Sequence, residues 1–315
     1  MEKKTMETYK VLITPRSFGK TDSALFDLLN ENGISYRCND TGNILSEDDM
    51  TDAIADCDGV IVGVDPLTAY VMSKAPHLKA IAKYGVGTDN IDLDYCGKNG
   101  IRVSVTQGAN SDAVADFAFA LMLALSRKII QIDSKCKTGD WTKIVTNDVF
   151  GRTLGLFGLG TIGKKAAERA TGFAMKIIAY DPYWDEAFAE KHNITYADPD
   201  TICSESDFIS LHIPLEPETK NIIDERRISL MKPDAFLINT ARGGLINEDA
   251  LLVALKNRRI GGAGIDVFAI EPPQNNEWFH LDNVILGSHS AASTIGAANN
   301  MGMEAVKNIM RDLNG

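Results

Sequence analysis

Three reactive side chains follow apolar runs in the C-terminal half of this sequence. Arg242 comes after AFLINT (235–240), Glu271 after GAGIDVF (262–268), and His289 after VILG (284–287). If those runs are parallel strands, all three groups reach the carboxyl ends of their strands, where open parallel sheets bind ligands. Together they suit the reduction of a ketone. An imidazole changes charge near neutral pH and can deliver a proton to a carbonyl oxygen. A carboxylate beside it favours the imidazolium and fixes its orientation. A guanidinium can fork onto a substrate carboxylate and polarise the keto oxygen. Each residue alone has an ordinary surface role, so the joint placement carries the reading.

A source of hydride is the next requirement. The apolar run TLGLF (153–157) leads into Gly158-Leu159-Gly160-Thr161-Ile162-Gly163, followed by helical KKAAERA. G-x-G-x-x-G between a strand and a helix is the dinucleotide fingerprint. The first glycine permits the turn, the second lets a pyrophosphate approach the backbone, and the third lets the helix pack on the strand. The helix start supplies unpaired N–H groups and partial positive charge. The next strand, KIIAY (176–180), ends at Asp181, 18 residues past Gly163. A carboxylate there accepts ribose hydroxyls and repels a 2'-phosphate, which favours NAD over NADP. Pro182, Tyr183 and Trp184 offer no arginine for that phosphate.

The positioning elements alternate. YKVLIT (9–14), DGVIVGV (58–64), LKAIAKY (78–84) and IRVSVT (101–106) read as strands, with helical DSALFDLLNENG (22–33) after the first. A long apolar helix over about 110–130 interrupts the rhythm. A second series follows: TLGLF, KIIAY, FISLHI (208–213), AFLINT, GAGIDVF and VILG, with helical NEDALLVALKN (247–257) among them. Alternation of this kind predicts an α/β chain with two doubly wound parallel sheets. The tail from about 290 reads as a helix returning to the first domain. The expected division is 1–107 plus 290–315, and 108–289 as the dinucleotide-binding domain.

Bulk properties narrow the function classes. The 315 residues are 44% hydrophobic and 24% charged, with net charge -11. That acidity argues against nucleic acid as a partner and against anionic membrane. AVADFAFALMLAL (113–125) is too short to span a bilayer and reads as a buried helix, available to a partner subunit. The N-terminal MEKKTMETYK has no apolar core of a signal peptide. Cysteines 38, 57, 96, 136 and 203 are widely spaced and odd in number, which suggests reduced thiols in a cytoplasmic protein and no metal site.

The chain resembles the D-isomer-specific 2-hydroxyacid dehydrogenases, in particular the phosphoglycerate dehydrogenase-like branch. The resemblance rests on KYGVGTDNID (83–92), NSDAVADFAFALMLAL (110–125), TLGLFGLGTIGK (153–164), LHIPL (211–215), LINTARGGLIN (237–247), GAGIDVFAIEPP (262–273) and GSHSAAS (287–293). It implies a flavodoxin-like substrate domain, a Rossmann-type NAD domain and a homodimer. It implies Arg242 as substrate arginine and Glu271 with His289 as the acid/base pair. It adds His212, Thr240 and Asp266 to the cofactor residues, Asp266 against the nicotinamide amide. Backbone at Val86 and Gly87 would hold the substrate carboxylate, with Asn110 nearby.

Two departures concern the substrate. Ser288-His289-Ser290 replaces the family's frequent Pro-His-apolar triplet. Where phosphoglycerate enzymes carry a phosphate-holding Arg-Ser pair, this chain reads Gly63-Val64-Asp65-Pro66-Leu67-Thr68. The Asp65 carboxylate is expected to repel phosphate there. In TPRSFGKT (14–21), Arg16 and Ser17 are candidates to bind the far end of an anionic substrate. The expected activity is hydride transfer between NAD(H) and a small D-2-hydroxy or 2-keto acid, phosphoglycerate-like or phosphonopyruvate among them. An NAD-sensing binding protein is the alternative from another class. Glu271 argues against the formate type, which carries Gln-His, and Val86 or its neighbours stand where the phosphite type carries a lysine in the carboxylate loop.

Overall fold

The computed structural model describes residues 9–315. The leader-free reading of MEKKTMETYK therefore lies, through residue 8, outside the described residues. Two compact units form: the chain up to Asn110 with Ser293–Gly315, and Ser111–Ala292. In chain order the first holds β1 (Lys10–Ile13), α1 (Ala24–Glu31), β2 (Ser35–Cys38), α2 (Glu47–Ile54), β3 (Gly59–Val62), α3 (Ala69–Ser73), β4 (Ala80–Lys83), α4 (Leu93–Asn99) and β5 (Arg102–Val105). The second runs α5 (Ser111–Ser126), α6 (Ile129–Lys137), β6 (Thr153–Phe157), α7 (Thr161–Thr171), β7 (Lys176–Tyr180), α8 (Glu186–His192), β8 (Ile194–Tyr196), α9 (Pro199–Glu205) and β9 (Phe208–Leu211). It continues with α10 (Glu225–Leu230), β10 (Phe236–Asn239), α11 (Glu248–Lys256), β11 (Gly262–Ile265) and β12 (Val284–Leu286), and α12 (Ile295–Asn314) then belongs to the first unit.

Both sheets are parallel. The first has the order β2-β1-β3-β4-β5, the second β12-β11-β10-β9-β6-β7-β8. Strands buried on both faces read as near-continuous apolar runs, and β3, β4, β9, β10 and β11 are buried at every position. Each sheet has a hydrophobic cluster on either face. Leu12, Val60, Val62 and Ile81 pack on one side of the first sheet; Val11, Ile13, Ile61 and Ala80 pack on the other, where α12 brings Val306, Ile309 and Leu313. The alternation is the period of two in a strand. Helix α12 begins at Thr294, whose hydroxyl accepts the Ala297 N–H at 3.1 Å. In the second unit Ile209, Leu211, Leu237 and Ile265 face one cluster; Leu154, Leu156, Phe208 and Ile238 face the other.

Four elements differ from the expectation. The apolar helix over 110–130 is two helices, broken at Lys128, which takes a left-handed φ of 49°. The run GAGIDVF is strand only through Ile265, and residues 266–271 form a loop. Strands β2 and β8 are short sheet edges with mostly exposed or half-exposed residues, so no apolar run announces them. Among the described residues no helix is long and apolar enough to cross a membrane.

Candidate active site

At the end of β6 the chain turns through Gly158 with φ +101°, a conformation that L side chains rarely adopt. A Cβ on Gly158 would lie 2.6 Å from the His212 carbonyl oxygen, and one on Gly163 would lie 2.1 Å from the Gly158 carbonyl oxygen. These glycines let α7 start close against the strand ends. Gly160 differs, because a Cβ there would meet nothing within 4 Å. No side chain caps α7 at Gly160, so its first N–H groups stay available beside open space. Thr161 is exposed and Ile162 half-buried in that first turn. Asp181 ends β7, and its carboxylate accepts the Leu159 N–H at 2.6 Å and the Tyr183 N–H at 2.7 Å. The acid and the glycine turn are thereby locked together. At the end of β10 the Thr240 hydroxyl oxygen is buried without a hydrogen-bond partner among the described residues, an unmet polar demand of the kind that a ligand satisfies. An open glycine cradle, an uncapped helix start, an acid after the second strand and an orphaned hydroxyl fit a dinucleotide.

His289, Glu271 and Arg242 are gathered at the β10, β11 and β12 ends of the same sheet. Asn239, fully buried, accepts the Ala241 N–H at 3.0 Å and donates to the Arg242 carbonyl at 2.8 Å, which sets the turn carrying the guanidinium. A Cβ on Gly243 would lie 2.0 Å from the Phe268 carbonyl carbon, so the arginine turn abuts the loop of Glu271. Glu271 Oε1 accepts the Phe268 N–H at 3.0 Å, and Oε2 lies 2.9 Å from His289 Nδ1. Burial raises the Glu271 carboxyl, but the His289 bond, the Phe268 N–H and the charges of His289 and Arg242 outweigh it and hold it below its usual range.

Asp266 anchors the histidine turn. Its side chain is fully buried and accepts the Ser290 and Ala291 N–H groups, each at 2.9 Å, while its carbonyl accepts the His289 N–H at 2.8 Å. His289 itself takes φ +57°. A Cβ on Gly287 would fall 2.0 Å from Asp266 Oδ1, so only glycine lets the turn close over this carboxylate. Burial raises the Asp266 carboxyl, opposed by the two N–H bonds. Both Asp266 carboxylate oxygens serve the turn of residues 287–291, a role the sequence did not disclose. Ser288 and Ser290 bracket the histidine with their hydroxyls 2.7 Å apart. His212, at the end of β9, pairs through Nε2 with the Ser210 hydroxyl at 2.9 Å, and burial lowers its imidazole to about 4.

The remaining candidates lie in the first unit. Arg16 and Ser17 are exposed after β1, and the Ser17 hydroxyl donates to Tyr84 Oη at 3.2 Å, just before Val86 and Gly87. Val86 is exposed, and the preceding Gly85 has φ +133° and donates its N–H to the Thr106 hydroxyl at 2.8 Å. Asn110 is buried at the end of this unit. Asp65 corrects the expectation placed on it. Its side chain is 3% exposed and accepts the Thr14 hydroxyl and, at 2.9 Å, the Leu45 N–H. The carboxylate staples the ends of β1 and β3 and does not present itself to a ligand.

Comparison with known proteins agrees with this geometry. Residues 119–291 match the family described as "D-isomer specific 2-hydroxyacid dehydrogenase, NAD binding domain". A glyoxylate reductase of Thermococcus litoralis is 41% identical, over 83% of this chain and 82% of the relative. A hydroxypyruvate reductase of Thermotoga maritima is 40% identical, over 87% of this chain and 90% of the relative. The solved structure of D-lactate dehydrogenase from Aquifex aeolicus, complexed with NAD and lactic acid, has a TM-score of 0.82. It is 32% identical, covering 94% of this chain and 93% of that one. With the glycine turn of β6 and the two parallel sheets, these likenesses decide the lineage: the chain belongs to the D-isomer specific 2-hydroxyacid dehydrogenase family of NAD-dependent oxidoreductases.

Proposed function

We propose that this enzyme reduces small, unphosphorylated 2-oxo acids of the glyoxylate and hydroxypyruvate class to the corresponding 2-hydroxy acids, of D configuration where the product is chiral. The observation that carries this reading is the 2.9 Å contact of Glu271 Oε2 with His289 Nδ1, beside Arg242. With Nδ1 held by the carboxylate, Nε2 is left to donate a proton to the keto oxygen. Arg242 binds the substrate carboxylate and stabilises charge on that oxygen. Gly158, Gly160, Thr161, Ile162 and Gly163 cradle the dinucleotide phosphates, Asp181 takes the ribose hydroxyls, and His212, Thr240 and Asp266 line the remainder. NADH, when bound, supplies the hydride. The relatives named for glyoxylate and hydroxypyruvate support the substrate class, as does the missing arginine over 63–68.

The first unit serves as the substrate domain. Val86 and Gly87 offer backbone to the carboxylate, with Asn110, Arg16 and Ser17 around the substrate tail. The protein is a cytoplasmic homodimer: its five cysteines are free thiols, and one segment carries Ile129, Ile130, Trp141, Val145 and Phe150 exposed.

NADH oxidation with glyoxylate, hydroxypyruvate, pyruvate and 3-phosphohydroxypyruvate tests the reading. Glyoxylate and hydroxypyruvate are expected to turn over best. His289→Ala should lower kcat by about 10²–10⁴-fold with NADH still bound, and Arg16→Ala should raise KM. Undiminished turnover in His289→Ala would remove the histidine from its role. Preference for the phosphorylated acid would overturn the substrate class, and an unchanged KM would release Arg16.

A further inference from the structure

Helix α11 begins with two acids that behave differently. Asn247 caps it, accepting the Ala250 N–H at 3.1 Å, and Asp249 is exposed in the first turn. An exposed first-turn acid already complements the helix dipole. Glu248 is instead half-buried, and its Oε1 accepts the Ala269 N–H at 2.6 Å, 21 residues away. Ala269 belongs to the loop that bears Glu271. In that loop the Phe268 N–H is taken by Glu271 itself, the next N–H by Glu248, and the peptide between them is pressed by Gly243. Glu248 therefore ties the chain following the arginine turn to the loop that presents the carboxylate.

We propose that Glu248 is a positioning residue for the acid/base pair, fixing the 268–271 loop and adding a second negative charge near Glu271. The inference rests on His289 acting as the proton donor. Among the described residues, the charged groups set around this loop include Arg242 after β10, Glu248 and Asp249 on α11, Asp266 after β11, Glu271 in the loop and His289 after β12. Burial raises the Glu248 carboxyl, countered by the Ala269 N–H, and the charges of Asp249 and Glu271 raise it further. Glu248 and Glu271 thus sense each other, and it is Glu271 that touches the imidazole. A negative charge in that place supports a protonated donor, and its removal withdraws the support.

The experiment separates charge from hydrogen bond. The pH profile of kcat/KM for hydroxypyruvate reduction is measured for wild type, Glu248→Gln, Glu248→Ala and His289→Ala. Glu248→Gln keeps an acceptor for Ala269 and loses the charge. Its alkaline limb should move to lower pH by about half a unit, with plateau kcat within about twofold. Glu248→Ala should also lose about tenfold in plateau kcat while sparing the KM for NADH. Superimposed profiles for wild type and Glu248→Gln would reduce Glu248 to a helix-start acid and leave the proposed reaction intact. If His289→Ala keeps the wild-type rate and alkaline limb, the donor reading fails and this inference fails with it. Glu248→Gln decides the matter even if Glu248→Ala does not fold.

Discussion

At the scale of single residues, His212 shows what enclosure does to an imidazole. Burial holds it at about 4, against an ordinary 6.5. Between those values the unfolded chain binds a proton that the folded chain refuses, so stability falls as pH drops through this window and is fully present above it. The difference is worth up to about 3 kcal/mol. Melting temperatures at pH 7.5 and 5.0 should show a smaller loss for His212→Gln than for wild type; equal losses would reject the assignment. The sequence made His289, Glu271 and Arg242 conspicuous because each stands just beyond an apolar run. It hid Glu248 and the Asp266 anchor, whose bonding partners lie 21, 24 and 25 residues away along the chain. Asp65 misled for the same reason: an acid's type is legible, but its direction depends on Thr14 and Leu45 across the fold.

Elements supply the precision that residues need. The turn after β6 contains glycines with opposite duties, and substitution should separate them. Gly160→Ala places a methyl in open space, so the apo protein should melt within about a degree of wild type while NADH binds at least tenfold more weakly. Gly163→Ala drives a methyl toward the Gly158 carbonyl and should lower the melting temperature by several degrees. Equal effects of the two substitutions on melting would contradict this division. Buried strands such as β6 and β7 were legible at full length because both faces are apolar. The edges β2 and β8 were not, since a strand paired on one side tolerates polar residues. The break at Lys128 carried no glycine or proline to mark it.

At the scale of the whole molecule, the proposed homodimer can be tested at the exposed apolar side chains between Ile129 and Phe150. Light scattering should give twice the 34.3 kDa chain mass, and Trp141→Glu with Val145→Glu should shift the protein toward monomer. A monomeric wild type would end that reading. Chain order has another consequence. The first sheet lacks Val306, Ile309 and Leu313 on one face until α12 exists, yet 182 residues (111 to 292) intervene. At about 5–20 residues per second a ribosome takes roughly 10–40 s to cross that insertion. During synthesis the first unit waits with one sheet face covered only in part, by Leu25 and Leu29 of α1, while the second is one uninterrupted stretch. Nascent chains stalled before residue 295 should therefore leave the first unit open to chaperones and proteases.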